Sequence, residues 1–467
     1  MNSNTIKLIV VALAGAAALT AWFVPGPKPD TVAQRLDYPQ FVIALVVTAA
    51  ALSVMVSAIF AGAGRRALIF RVVAVWFGVG LALATWEFGA WAWPAGHLMD
   101  NPWYTVTGTG IVASEHLPHQ RPPGLTWTGI SRGDLAMLDN SPDPDARTIT
   151  YATDSKGFRN ADEADQADII VLGDSFTEAG YLPLAETFVI LTGERSTCTV
   201  RNLGVAGYSA PSELIVLKRF GLNYLPRVVV WQIAESNDLG DALRFDDWVR
   251  KGRPDFRANP RDLPTGANRW RKRSPTHRLF DLLRSRDSAP SAIAFLAGTF
   301  RDSSGAEREV RFLPTLPGAQ HSPAGNPGWP LTASAIRDGA DMLRDRKIDL
   351  VVVLIPMKLR ALADSIDFHP LPVVTDRAQP AAIDRLPTGW DLKPEATLAS
   401  HLAAICDEVG ARFVDTTPAL KQHAARGELV YMAMDTHLSP AGHRIVAKLL
   451  VDALDGITCH SGAAAQN

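Results

Sequence analysis

The stretch VLGDSFTEAG, residues 171–180, decides how the rest of the chain is read. Together with the two isoleucines before it, Ile169 and Ile170, it gives a short, branched, apolar run that turns abruptly into Gly173, Asp174 and Ser175. A run of this length and composition fits a strand buried on both faces of a parallel sheet. Ser175 then stands at the carboxyl end of that strand, where it is either a nucleophile or a helix-capping serine.

Four later segments repeat the pattern: CTVRNLGVAG (198–207), RVVVWQIAESND (227–238), IDLVVVLIP (348–356) and ARFVDTTP (411–418). Helical patterns separate most of them, in ETFVILTGER (186–195), PSELIVLKRF (211–220), ASAIRDGADMLRDR (333–346) and ATLASHLAAICDEVG (396–410). Alternating strands and helices predict a doubly wound α/β domain with a parallel five-stranded sheet over about 166–460. Its site is expected outside the carboxyl ends of the strands. Residues 95–165, with RTITYAT and DSKGFRN, read as a lead-in that packs on this domain. Residues 239–329, with RKGRPDFRANPRD and NRWRKRSP, are too long for a simple connection and read as a cap or a mobile insertion.

The first 94 residues differ. Leu8–Val24 and Phe41–Gly64 carry no charge, and Ala67–Trp86 is interrupted only by Arg71. Each approaches or exceeds the roughly 17–25 apolar residues that cross a bilayer, so three transmembrane helices are expected. A cleaved signal peptide is the alternative for the first. Lys7, Arg65, Arg66 and Arg71 mark the cytoplasmic side, and Trp86, Trp91 and Trp93 fit an interfacial belt. The expected location is therefore the inner membrane, multi-pass, with everything after Trp93 on the extracytoplasmic, periplasmic side. An oxidising compartment permits a disulfide, and of Cys198, Cys406 and Cys459 the favoured pair is Cys198 with Cys459. The net charge of -2 supplies no polycationic face, which argues against nucleic acid.

A serine nucleophile needs a base, and the base an orienting acid. The segment YMAMDTHLSPAGHRIVAKLL (431–450) places Asp435 and His437 just before a helix that Ser439 and Pro440 would open. If that loop is extended, residues two apart point to one side. The competing reading makes Asp435 a turn cap and His437 a surface histidine. Oxyanion donors are available at two other strand ends: the Gly207 N–H and the Asn237 side-chain amide, beside the N–H of Ser175 itself. Glycine and Asn-Asp are also common plain turn formers. No paired Cys/His spacing suggests a metal, and the one glycine-rich run, GVGLALA, lies in an expected membrane span, so neither metal nor cofactor is expected.

Taken in order, GDS at Ser175, GVAGYS at Gly207, SND at Asn237 and DTHLSPAG at Asp435 and His437 resemble the SGNH/GDSL hydrolase superfamily over about residues 150–455. The resemblance implies a flavodoxin-like sheet, Ser175 as nucleophile, His437 as base, Asp435 as orienting acid, and Gly207 and Asn237 as oxyanion donors. Two departures stand out. The acid and base are spaced Asp-x-His where Asp-x-x-His is usual, and Glu235-Ser236 replaces the usual glycine two before the asparagine. The first departure resembles alginate-type O-acetyltransferases, as does LVYMAMDTH. The expected function is thus a membrane-anchored extracytoplasmic serine esterase acting on acyl, chiefly acetyl, esters of a glycan or similar small ester. The alternatives are an O-acetyltransferase acting on an extracellular polysaccharide, and a catalytically silent glycan-binding or assembly protein. A membrane partner that supplies acyl groups stays open.

Overall fold

The computed structural model describes residues 111–112, 114–139, 143–253, 296–313, 323, 325–369, 397–456 and 459, with scattered residues between 47 and 80. The chain divides into two compact units, Met1–Asp100 with Asn259–Ser291, and Asn101–Ala258 with Ala292–Asn467. In the first unit only the scattered helical residues are described, and among the described residues no helix is long and apolar enough to cross a membrane. The first expected span lies wholly outside the described residues, and the other two lie largely outside them.

The second unit is built on a five-stranded parallel sheet. Its strands are β3 (Ile169–Leu172), β4 (Val200–Asn202), β5 (Val228–Ala234), β8 (Asp349–Ile355) and β10 (Arg412–Asp415), ordered β10-β8-β5-β3-β4. All five segments expected to be strands are present. This is the flavodoxin-like order, in which the sheet reverses direction of winding between β3 and β5 and leaves a crevice at their carboxyl ends.

The apolar runs are continuous because both faces are covered. Alternate strand residues point to opposite sides. Ile169, Val171, Val228, Val230, Val351 and Val353 share one core with α3 (Phe188–Ser196) and α10 (Pro440–Ala453). Ile170, Leu172, Val229, Trp231 and Val352 share the other with α4 (Ala210–Arg219), α6 (Gly328–Arg344) and α8 (Leu398–Val409). Cys198, before β4, is joined to Cys459, beyond α10, with Cα atoms 5.3 Å apart, while Cys406 is free and buried.

In the lead-in the run RTITYAT forms β2 (Arg147–Ala152), paired antiparallel with β1 (Thr126–Ser131), the two flanking the short α1 (Asp134–Asp139). The stretch expected to be an insertion begins as α5 (Asp238–Arg250), whose Leu239 and Ala242 join the second core. It continues as the hairpin β6 (Leu296–Arg301) and β7 (Glu307–Phe312), to which β9 (Ile366–Phe368) adds a third antiparallel strand. Two short helices, α7 (Lys358–Leu362) and α9 (Thr417–Ala425), follow β8 and β10.

Packing against the sheet fixes the identity of Gly339 in α6. The Trp231 indole is fully buried, donates to Glu213 Oε2 at 2.7 Å, and occupies the space a Cβ on Gly339 would need. Alanine would gain roughly 0.8–1 kcal/mol of helix propensity, but overpacking a site whose neighbour is pinned costs about 1–3 kcal/mol. Gly339→Ala is therefore expected to destabilise the fold by about 1–2 kcal/mol, read as a lower urea midpoint at unchanged slope.

Candidate active site

Strand β3 ends at Leu172, and the chain turns at Gly173, where a Cβ would collide with Thr177 and Gln232. The turn leads into α2 (Ser175–Glu178), a single helical turn that Ala179 closes in the left-handed conformation at φ 46°. The cap of this turn is Asp174, whose Oδ1 accepts the Phe176 N–H at 3.0 Å. Ser175 is thus the first helical residue, and the capping reading of it does not hold. The next regular helix, α3, starts at Phe188, within the helical pattern read at 186–195.

The Ser175 hydroxyl lines a cavity, with His437 Nε2 2.9 Å from Oγ and a longer contact to Asp174 Oδ2 at 3.4 Å. His437 Nδ1 lies 2.5 Å from Asp435 Oδ1, which also accepts the His437 backbone N–H at 2.9 Å. The loop is therefore bent, with Asp435 capping its own turn and holding the imidazole by the same oxygen. The two readings of Asp435 turn out to be one arrangement, and the extended geometry assumed for the pair is replaced by a turn. Behind it, Ser439 caps α10 by accepting from Gly442 N.

Burial works to lower the ionisation of His437, but the Asp435 carboxylate and its hydrogen bond, with Asp134 and Asp174 adding to them, leave it raised above the ordinary imidazole value. Burial works to raise Asp435, and the pull of His437 and hydrogen bonds from His437 and from the Asp134 N–H leave it lowered. A buried acid held as carboxylate beside an imidazole fixes the tautomer that leaves Nε2 free to take a proton from a hydroxyl.

Of the expected oxyanion donors, the Ser175 and Gly207 N–H groups make no hydrogen bond to any described residue. Gly207 sits at φ 80°, where side chains are disfavoured, on the loop after β4. That loop is fastened beside Gly173 by Val205 N to Gly173 O at 3.1 Å. Asn237, at the end of β5, reaches the site through Asp174. Both of its amide hydrogens are taken, by Asp174 Oδ2 at 2.9 Å and Asp241 Oδ2 at 2.8 Å, so it can serve an oxyanion only by exchanging one of them.

Ser175, Asn237 and His437 line a cavity of about 260 Å³ with Phe176, Ser236, Phe312, Leu313, Met357, Lys358, Leu359 and Thr436, whereas Gly207 is not among its walls. Asp134, Asp435 and His437 place potential ligand atoms within 4.8 Å of one another. Those atoms are engaged in hydrogen bonds between the three residues and Thr436.

Several supporting residues carry no sequence signal of their own. Asp134 donates its N–H to Asp435 Oδ2 at 3.0 Å and accepts the Thr436 N–H at 2.9 Å, which pins the acid–base loop to α1. Glu178 is fully buried and accepts from Arg121 Nε at 2.8 Å, from Ala206 N at 2.6 Å and from the Tyr151 hydroxyl. Arg159, from DSKGFRN, donates to the carbonyls of Glu178, Ala179 and Leu182. Glu235, at the position of the missing glycine, joins the ends of β5 and β8 by accepting from Met357 N at 3.1 Å and Arg360 Nε at 2.7 Å. His443 is buried between Tyr181 and Phe188 N and pushed down to about 3 by that burial, a structural histidine.

Residues 319–466 match the family model of the SGNH hydrolase-like domain of the acetyltransferase AlgX, a span that contains Asp435 and His437. The C-terminal third of the chain is thus similar to an SGNH hydrolase-like domain. Among solved structures, the chain is similar to an acetylxylan esterase, Axe2, from Geobacillus stearothermophilus, at 12% identity and TM-score 0.31, over 64% of this chain and 99% of that one. It is also similar to a GDSL-like lipase from Bacteroides thetaiotaomicron, at 11% identity and TM-score 0.29, over 61% and 86%. No curated protein matches it.

The balance of forces on His437 yields a prediction independent of turnover. In Asp435→Asn the burial that lowers the imidazole stays while its largest opposing charge is gone. The His437 ring should then titrate at a lower pH than in the wild type, followed by NMR of the ring nitrogens. An unchanged or higher midpoint would show that Asp435 does not hold the imidazolium.

Proposed function

We propose that the protein is a membrane-anchored serine esterase, its SGNH domain extracytoplasmic, that removes acyl groups, chiefly acetyl, from a glycan or similar ester. The observation that carries the esterase reading is the line from Ser175 Oγ to His437 Nε2 at 2.9 Å and on to Asp435 at 2.5 Å, on the wall of a cavity at the sheet's switch point. The anchoring rests on the three uncharged stretches before Trp93, and the Cys198–Cys459 bond agrees with an oxidising compartment.

The steps follow from the geometry. Ser175 Oγ attacks the ester carbonyl carbon as its proton passes to His437 Nε2, and Asp435 stabilises the imidazolium. The Ser175 and Gly207 N–H groups, with Asn237 after it releases one carboxylate, hold the oxyanion. Collapse expels the alcohol, which takes the proton from His437 and leaves an acyl-serine. His437 then deprotonates water, and attack on the acyl carbon frees the carboxylic acid and regenerates Ser175.

A second reading, transfer to a sugar hydroxyl in place of water, is favoured by the AlgX match and by the Asp-x-His spacing. It shares every residue and the same acyl-serine. A catalytically silent binding role is the third, and nothing in the site favours it.

The test compares full-length protein in detergent with its Ser175→Ala variant on a small acetyl ester. Loss of the nucleophile should lower kcat by at least about 10³-fold and abolish labelling by a serine-reactive phosphonate. Equal rates and no labelling of Ser175 would leave the silent reading. With polysaccharide added, more acetyl on sugar than in free acetate selects transfer.

A further inference from the structure

A cation on the wall of a small cavity suggests an anion receptor at first sight, and Lys358 is such a cation. Its hydrogen bonds exclude that role. Nζ donates to the carbonyl oxygens of Arg311 at 2.6 Å, Ala433 at 2.9 Å and Asp435 at 2.8 Å, so all three ammonium hydrogens are spent on backbone. The three acceptors belong to two segments, β7 and the acid–base loop, while Lys358 itself begins α7 just after β8. The side chain is buried, and Nζ also lies 5.2 Å from the centroid of the Phe312 ring, another wall of the cavity.

We propose that Lys358 is a positioning residue of this site, its ammonium tying the Asp435–His437 loop to the β7 hairpin and offsetting the charge of Asp435. The inference rests on the reading of Ser175, His437 and Asp435 as an acyl-transfer triad.

Only the ammonium supplies a hydrogen to each of three carbonyls, and a neutral amine would turn its lone pair on one of them. Burial pushes the group down to about 7, against the attraction of Asp134, Asp435, Asp145 and Asp143. The groups facing His437 are Asp435, Asp134, Asp174, Ser175, Tyr181 and His443. Lys358 does not face His437 directly; it is a positive charge beside Asp134 and Asp435, two of the carboxylates that do. The consequence has a definite sign. Without that charge the Asp435 field on His437 is less compensated, the imidazolium is favoured, and the base becomes available only at higher pH. A merely structural loss would act the other way, because a slack loop lengthens the Asp435–His437 bond and lowers the imidazole.

The experiment uses the full chain with Lys358→Met, Lys358→Gln and Lys358→Arg. Glutamine keeps two N–H donors for the carbonyls and so preserves the fold if methionine does not; arginine keeps the charge but presents a planar fork. Two readouts are taken: the pH dependence of kcat on a small acetyl ester, and the His437 midpoint by NMR. For the uncharged variants the acidic limb and the NMR midpoint should both rise by about 1 pH unit, with kcat down roughly 10-fold and KM nearly constant. Arginine should leave both pH values in place while kcat falls. A downward or absent shift in the uncharged variants overturns the inference. If the wild type neither cleaves the ester nor is labelled at Ser175, the triad reading fails, while the NMR midpoints still decide whether Lys358 acts on His437.

Discussion

The buried carboxylate of Glu178 is the contact on which the rest of the site depends. An isolated carboxylate in this position would carry a desolvation penalty of several kcal/mol, and removing one partner of such a pair typically costs about 3–5 kcal/mol. Here Arg121, Tyr151 and the Ala206 N–H surround it. The partners come from two parts of the chain: Arg121 and Tyr151 from the lead-in, Ala206 from the loop that carries Gly207. Glu178 itself ends the turn that begins with Ser175. One carboxylate therefore sets the distance between nucleophile and neighbouring donor loop, and it makes the lead-in part of the site. Arg159 adds to this by donating to the Glu178 carbonyl at the end of the helical turn and to the carbonyls of Ala179 and Leu182 just beyond it.

The acid–base side is organised by the same logic from the opposite direction. The loop that holds Asp435 and His437 is closed by an isolated bridge between Tyr431 and Leu438 and bonded by Arg311 N to Ala433 O at 3.0 Å, and contacts on two sides add to these. The first turn of α1 donates N–H groups to it, Asp134 to Asp435 Oδ2 and Leu135 and Ala136 to the Met434 carbonyl. Lys358 gathers its carbonyls from the other side. The triad thus stands between two clamps, one anchored in the lead-in and one in the element after β8.

This division explains what could be read from the amino-acid sequence. The central strands were legible because burial on both faces leaves a near-continuous apolar run, unbroken in Ile169–Leu172 and interrupted only by Gln232 in Val228–Ala234. Ser175, Asp435 and His437 were legible because each sits at a strand end or helix start marked by its neighbours. Asp134 and Lys358 were not, since their partners lie far away in sequence: Asp134 meets Asp435 across 301 positions, and no local pattern encodes that. The hairpin β6–β7 was hidden for a different reason. EREVRF buries only Val310 and Phe312, so its period-2 signal is two residues long. Asn237 shows the limit in reverse: its place was legible, but the direction of its amide depends on Asp241, one helical turn further on.

What selects water or a sugar hydroxyl must lie outside the triad. In the proposed chemistry His437 takes a proton from either, and the same acyl-serine precedes both, so no change in Ser175, His437 or Asp435 would favour one acceptor by itself. The discrimination is left to the walls, which decide how readily water reaches the acyl carbon and whether a larger acceptor is held there long enough to compete. Two of those walls, Phe312 and Leu313, come from the end of the β6–β7 hairpin, and Leu313 remains 38% exposed at the rim. The same hairpin is tied through Arg311 to Lys358, and through Lys358 to the acid–base loop. In the proposed reading, the hairpin wall that an acceptor would touch thus lies one lysine side chain away from the loop of the group that would deprotonate it.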